Sequence, residues 1–136
     1  MYLYQKLTLV SLCFTLVVLS GCSSAKSKAA HSKKNIEDFD RFYDKFHQDA
    51  AFQMSRLKFP LQGHDGVGNK WTKTNWTLMK SRIYEVDKSQ YKVEYKKTDK
   101  SFFQKVWIEN SGFNSECRFE LIDTKWYLVY ALEIDN

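Results

Sequence analysis

The sequence predicts an α+β domain in which helices come first and an antiparallel meander follows. Two patterns carry this. Ile36, Phe39, Phe42, Tyr43 and Phe46 recur at steps of three and four, the spacing of one helix face. From Ile83 onward apolar and polar residues alternate, the spacing of half-buried strands. Helical segments followed by a run of strands define the α+β class.

Each element has its own signals. Asn35 can cap the first helix, with Glu37 and Asp38 in the first turn where the helix dipole favours negative charge. Asp38, Arg41, Asp44, Lys45 and Gln48 fill the polar side. Asp49 can cap a second short turn over residues 50–53. In SRLKFPL, Leu57, Phe59 and Leu61 share a face, and Pro60, which lacks an N–H, places this strand at an edge or an end. QGHDGVGN is a turn-rich loop. Thr72 or Thr74 can cap a short helix holding Trp76 and Met79 or Lys80. Tyr91, Val93 and Tyr95 then alternate with lysines and Glu94, and FFQKVWIEN, SECRFELID and KWYLVYALEI follow, separated by Asn-Ser-Gly and Asp-Thr-Lys turns. In the last strand the alternation assigns Trp126, Leu128, Tyr130 and Leu132 to one face and Tyr127, Val129 and Ala131 to the other.

The N-terminal region has a different character. Lys6 precedes LTLVSLCFTLVVL, too short for the roughly 20 residues of a membrane span but suited to an export signal. The run ends in Leu19-Ser20-Gly21-Cys22, which resembles the lipobox of bacterial lipoproteins. That resemblance implies cleavage between Gly21 and Cys22, diacylglycerol on the Cys22 thiol, and anchorage by acyl burial at about 0.8 kcal/mol per CH₂. The expected organisation is a signal peptide over 1–21, a lipidated cysteine and polar tether over 22–34, and a single domain over 35–136. No acidic run follows Cys22; by resemblance to lipoproteins of Gram-negative gut anaerobes, this favours an outer-membrane anchor facing the periplasm.

Charge and cysteine counts narrow the classes further. The formal charge of +5 resides ahead of Asn35, in Lys6, Lys26, Lys28, Lys33 and Lys34, leaving the remainder balanced. A neutral domain with interspersed charges offers no basic stripe for nucleic acid. Basic residues in the tether suit an anionic lipid surface. Cys117 is the one thiol left after processing, which excludes a disulfide scaffold and suits a small buried strand residue. His31, His47 and His64 lack the close spacing of a metal site, and the glycines at 63, 66 and 68 match no phosphate loop, so no metal or cofactor is expected.

FDRFYDKFHQDAAFQMSRLKFPL, with Trp71, Trp76 and the closing KWYLVYALEI, resembles an uncharacterised family of small lipoproteins from Gram-negative gut anaerobes. The resemblance implies a nuclear-transport-factor-2-like, or cystatin-like, cone: a curved antiparallel sheet wrapped around the first helix. Such folds serve isomerases, dehydratases, binding modules and dimerising adaptors, so the fold leaves function open. Phe39, Phe42, Tyr43, Phe46, Arg56, Trp107 and Trp126 are candidates to line a pocket inside the cone. His47 or Asp49 could act as a general base with a tyrosine as donor, although a helix C-terminus also favours the histidine and capping the aspartate. The favoured expectation is a non-enzymatic module that binds a small apolar ligand or an envelope protein. The alternatives are an isomerase or dehydratase, and a homodimeric adaptor.

Overall fold

The computed structural model describes residues 35–135. The leader and tether expected before Asn35 lie outside the described residues. Helix α1 spans Phe39–Gln48 and α2 spans Ala50–Ser55. Five strands follow: β1 Leu57–Gln62, β2 Lys92–Lys97, β3 Ser101–Trp107, β4 Asn114–Ile122 and β5 Lys125–Ile134. They form one sheet in the order β1-β5-β4-β3-β2.

The first helix starts later than its apolar spacing suggests. Asp38, not Asn35, is its cap, with a carboxylate oxygen accepting from Arg41 N at 2.9 Å. Ile36 falls outside the helix and is exposed, and Glu37 is drawn away to Arg56. Asp49 caps α2 as expected, accepting from Phe52 N at 2.9 Å.

The sheet is mixed, not wholly antiparallel. The meander β2-β3-β4-β5 is antiparallel, but β1 lies parallel beside β5, with Leu57 opposite Leu128. The chain between β1 and β5 carries β2, β3 and β4, which makes this geometry attainable, since parallel neighbours cannot be joined by a tight turn. Pro60, preceded by a cis peptide, sits on this edge strand where its missing N–H costs no ladder bond. Gly63, at φ +90°, lets the chain leave β1 across β5: a Cβ there would lie 2.0 Å from Ala131 O.

In β5 the alternation changes phase. Arg118 faces Tyr130 while the next residue, Phe119, faces Leu128, so Val129 is an unpaired bulge. Trp126 and Leu128 are therefore buried together with Ala131, which the unbroken alternation assigned to the opposite face. Two further expectations fail between β1 and β2. No helix forms around Trp76; instead Asn75 Oδ1 accepts from Thr72 N and Thr72 Oγ1, a local turn. Ile83–Glu85 is a 3₁₀ turn, and the first strand of the meander begins only at Lys92.

The core lies between α1 and one face of the sheet. Phe39, Phe42, Tyr43 and Phe46 pack on Phe102, Phe119, Trp126 and Leu128. The rings meet largely edge to face, as in Phe46–Phe119 at 5.1 Å and Phe39–Trp126 at 4.8 Å. Each buried ring contributes roughly 1.5–3 kcal/mol through area removed from water, and each such pair about 0.5–1.5 kcal/mol more.

Candidate functional site

The aromatic residues expected to line a pocket fill the interior instead of enclosing space. Phe39, Phe42, Tyr43, Phe46 and Trp126 are all at most 4% exposed and pack on one another. Phe42 also touches a large open recess, about 890 Å³, half of whose lining residues are charged, among them Asp38, Arg41, Lys45 and Lys125, and Phe39 and Trp126 border a smaller one of about 340 Å³. Trp107 is elsewhere. Phe102 and Gln104 of β3 are buried against the core, so the two-residue period puts Trp107 on the opposite face, over Lys105 Nζ at 5.6 Å.

Arg56 is structural in its contacts. Its guanidinium holds Glu37 in a two-pronged pair at 2.7 and 3.0 Å and donates to Trp126 O at 3.1 Å. Glu37 in turn accepts from Trp126 N at 2.8 Å, and Arg56 lies 4.6 Å over the Phe52 ring. The planar fork thereby ties the chain before α1 to β5 and α2.

Of the two catalytic candidates, Asp49 is occupied as the α2 cap. His47 is 8% exposed, and its Nδ1 lies 2.7 Å from Tyr43 O. A carbonyl only accepts, so Nδ1 carries the proton and Nε2 the lone pair. Nε2 is enclosed and has no partner among the described residues. Burial lowers the His47 pKa from its ordinary 6.5, with the Tyr43 carbonyl, Glu85 and Asp44 opposing the shift and Arg82 adding to it. His47 borders a recess of about 250 Å³ with Gln53, Leu78, Met79 and Lys80. That lining includes no tyrosine, and the Tyr43 hydroxyl is engaged elsewhere.

The residues 63–91, between β1 and β2, are mostly irregular, and three buried side chains fix their path. Gln53 is 1% exposed and spends its whole amide on this task. Its Nε2 donates to Phe46 O at 2.6 Å and Met79 O at 2.8 Å; its Oε1 accepts from Met79 N at 2.9 Å and Trp76 Nε1 at 3.0 Å. Trp71 Nε1 donates to Ala131 O at 2.7 Å. The Tyr43 hydroxyl accepts from Ile83 N at 3.1 Å and donates to Gln104 Oε1 at 2.5 Å. Burial raises the Tyr43 pKa further above its ordinary value, so this hydroxyl keeps its proton.

Between this held segment and the inner sheet face lies a concavity of about 450 Å³. Met79, Ile83, Val86, Tyr91, Val106 and Phe113 supply its apolar wall, and Gln104 is its buried polar group. Two of the exposed charges at its edge are restrained: Glu85 pairs with Arg82, which also holds Asp44, and Asp87 accepts from Ser89 N and Oγ. Cys117 Sγ lies 3.9 Å from Met79 Sδ nearby, and burial pushes its pKa up to about 12, so the thiol is protonated and a poor nucleophile. Sequence spacing did not single out Gln53 or Gln104. The signal for Gln104 was present: in FFQKVW it occupies the inward register of Phe102 and Val106, where an amide is out of place.

Among the described residues no cluster of three His, Cys, Asp or Glu could hold a metal, and no helix is long and apolar enough to cross a membrane.

The described domain is thus an α+β module with a filled core and open recesses around it. A protein-family model described as "-like:-like" matches residues 37–134, and the chain belongs to that family. An NMR structure of a protein from Bacteroides uniformis ATCC 8492 is similar at 25% identity, covering 71% of this chain and 76% of that one, with a TM-score of 0.50. Together the two matches support membership of an uncharacterised Bacteroidetes family. No curated protein matches the chain.

The buried histidine sets a pH dependence. Because the folded His47 pKa lies below the unfolded value of 6.5, the unfolded chain binds more protons below that pH. Stability from this group is full above pH 6.5 and is lost as pH falls towards the folded pKa. Urea midpoints are expected to fall between about pH 7.5 and about pH 5.5, and His47→Gln to flatten that fall. Equal slopes in both proteins would contradict the assignment. Glu85, held at about 2 by Arg82, titrates in a lower window.

Proposed function

We propose that the protein is a lipid-anchored envelope protein of nuclear-transport-factor-2-like fold whose domain binds a small apolar ligand without catalysing a reaction. The observation that carries the binding role is the recess of about 450 Å³ beside an otherwise filled core. Its volume falls in the range of small-molecule sites, and its lining is half apolar and half polar, with Gln104 the buried polar group. The fold assignment draws support from the first helix packed on one face of the sheet and from the bulge at Val129, a device that bends strands. The anchor rests on the Leu19–Cys22 motif and the apolar run before it.

The non-enzymatic reading follows from the placement of the candidate groups. Asp49 is a cap, Cys117 a protonated buried thiol, and Tyr43 a relay between Ile83 and Gln104. His47 faces no second acid, base or nucleophile within its own recess except Lys80, whose side chain is exposed. A reaction needs such groups to converge on one point.

Two experiments test these statements separately. Val106→Trp should fill the recess and weaken binding of the neutral dye Nile red, read by fluorescence, by about tenfold or more. Undiminished binding by the folded variant, checked by circular dichroism, would remove the recess as the site. Cys22→Ala should abolish labelling by an alkyne fatty acid in cells and leave an uncleaved precursor. Labelling equal to the parent would remove the anchor.

A further inference from the structure

The recess contains one group whose orientation is fixed and whose donors remain free. The Tyr43 hydroxyl accepts the Ile83 N–H, so its own proton points to Gln104, and the Gln104 atom facing it is the carbonyl oxygen. The amide nitrogen therefore points away from Tyr43. It has no hydrogen-bond partner among the described residues. Neither is it among the enclosed, unpartnered atoms, which are His47 Nε2 and Asn114 Oδ1. It consequently meets open space, and the recess that Gln104 lines supplies it. Gln104 itself is only 5% exposed, so its NH₂ is presented from a buried side chain.

Charge decides which acceptor suits this donor. Lys80, Glu85 and Asp87 around the recess are exposed, whereas Gln104 is buried. An ionised carboxylate brought to the depth of Gln104 would lose its hydration with no cation at that depth, a large cost. A neutral carbonyl oxygen loses much less and accepts the same bond. The chain from Ile83 N–H through the Tyr43 hydroxyl to the Gln104 carbonyl polarises the amide, which strengthens its N–H as a donor.

Building on the binding role proposed above, we infer that the recess selects uncharged apolar molecules bearing a carbonyl group — ketones, esters or amides — and that Gln104 Nε2 donates to that oxygen. Met79, Ile83, Val86, Val106 and Phe113 accommodate the apolar body. Gln104 is here a specificity-determining residue and takes no part in bond making or breaking.

The test uses the full chain, ¹⁵N-labelled, titrated with butyrophenone and with butylbenzene, which lacks the oxygen. Butyrophenone is expected to move the Gln104 side-chain NH₂ resonances, and butylbenzene to bind without that shift. Gln104→Met should weaken butyrophenone about two- to tenfold, the range of one neutral hydrogen bond, and leave butylbenzene within about twofold. Equal weakening of both ligands, no weakening of either, or a butyrophenone complex with unmoved Gln104 resonances would overturn the inference while the recess remained a binding site. Binding of neither ligand to the parent protein would overturn both. If the variant does not fold, the parent's NH₂ resonances with the two ligands decide the question.

Discussion

One buried amide constrains the side of the molecule where the recess lies. The chain from residue 63 to residue 91 has little regular structure, so its backbone groups cannot satisfy one another through a helix or sheet ladder. Gln53 substitutes for that ladder at Met79, bonding both its N–H and its C=O as a neighbouring strand would. It also accepts from the Trp76 indole and donates back to Phe46, the end of α1. All four hydrogen-bonding positions of the amide are used, so the group is buried without a residual desolvation penalty. Removing it would leave several of those partners unsatisfied at once.

The consequence is a fixed wall. With Met79 pinned by Gln53 and Ile83 pinned by Tyr43, the segment between them stands off the sheet instead of collapsing onto it. The aromatic stripe of α1 fills the space on the other side, where Phe39, Phe42 and Phe46 meet Phe119. Tyr43 belongs to both systems. Its ring packs in the stripe against Phe102 and Phe119, while its hydroxyl joins the wall to the buried amide of β3. His47, one turn later, lies beneath the same segment, which is why its recess and the larger one share Met79 and Lys80.

The parts of this architecture that depend on local periodicity were legible in the sequence. Phe39, Phe42, Tyr43 and Phe46 are buried as their spacing requires, Asp49 caps α2, and Leu57 and Leu61 are buried along β1. What escaped depends on contacts distant in the chain. The parallel pairing of β1 with β5 joins residues about seventy positions apart, and no short pattern encodes it. The bulge at Val129 reverses the alternation midway through β5, so Ala131 was assigned to the wrong face. Around Trp76 the helical spacing gives way to the Thr72–Asn75 turn and to Gln53, which takes the Trp76 indole N–H and both backbone groups of Met79. Trp107 illustrates a different limit: the resemblance makes it a candidate for the interior pocket, but strand register decides its face. Gln104 was readable in principle, as an amide in an apolar register, and it is the residue around which the recess is organised.

Native-state hydrogen exchange tests the dependence on Gln53 most directly, because it reads the wall amide by amide. The Met79 and Ile83 amides should exchange slowly in the parent protein, since each donates to a buried or nearly buried side chain. In Gln53→Leu they should exchange much faster, while amides in the centre of β3 and β4 keep their protection. Fast exchange at Met79 in the parent, or unchanged protection in the variant, would contradict the account.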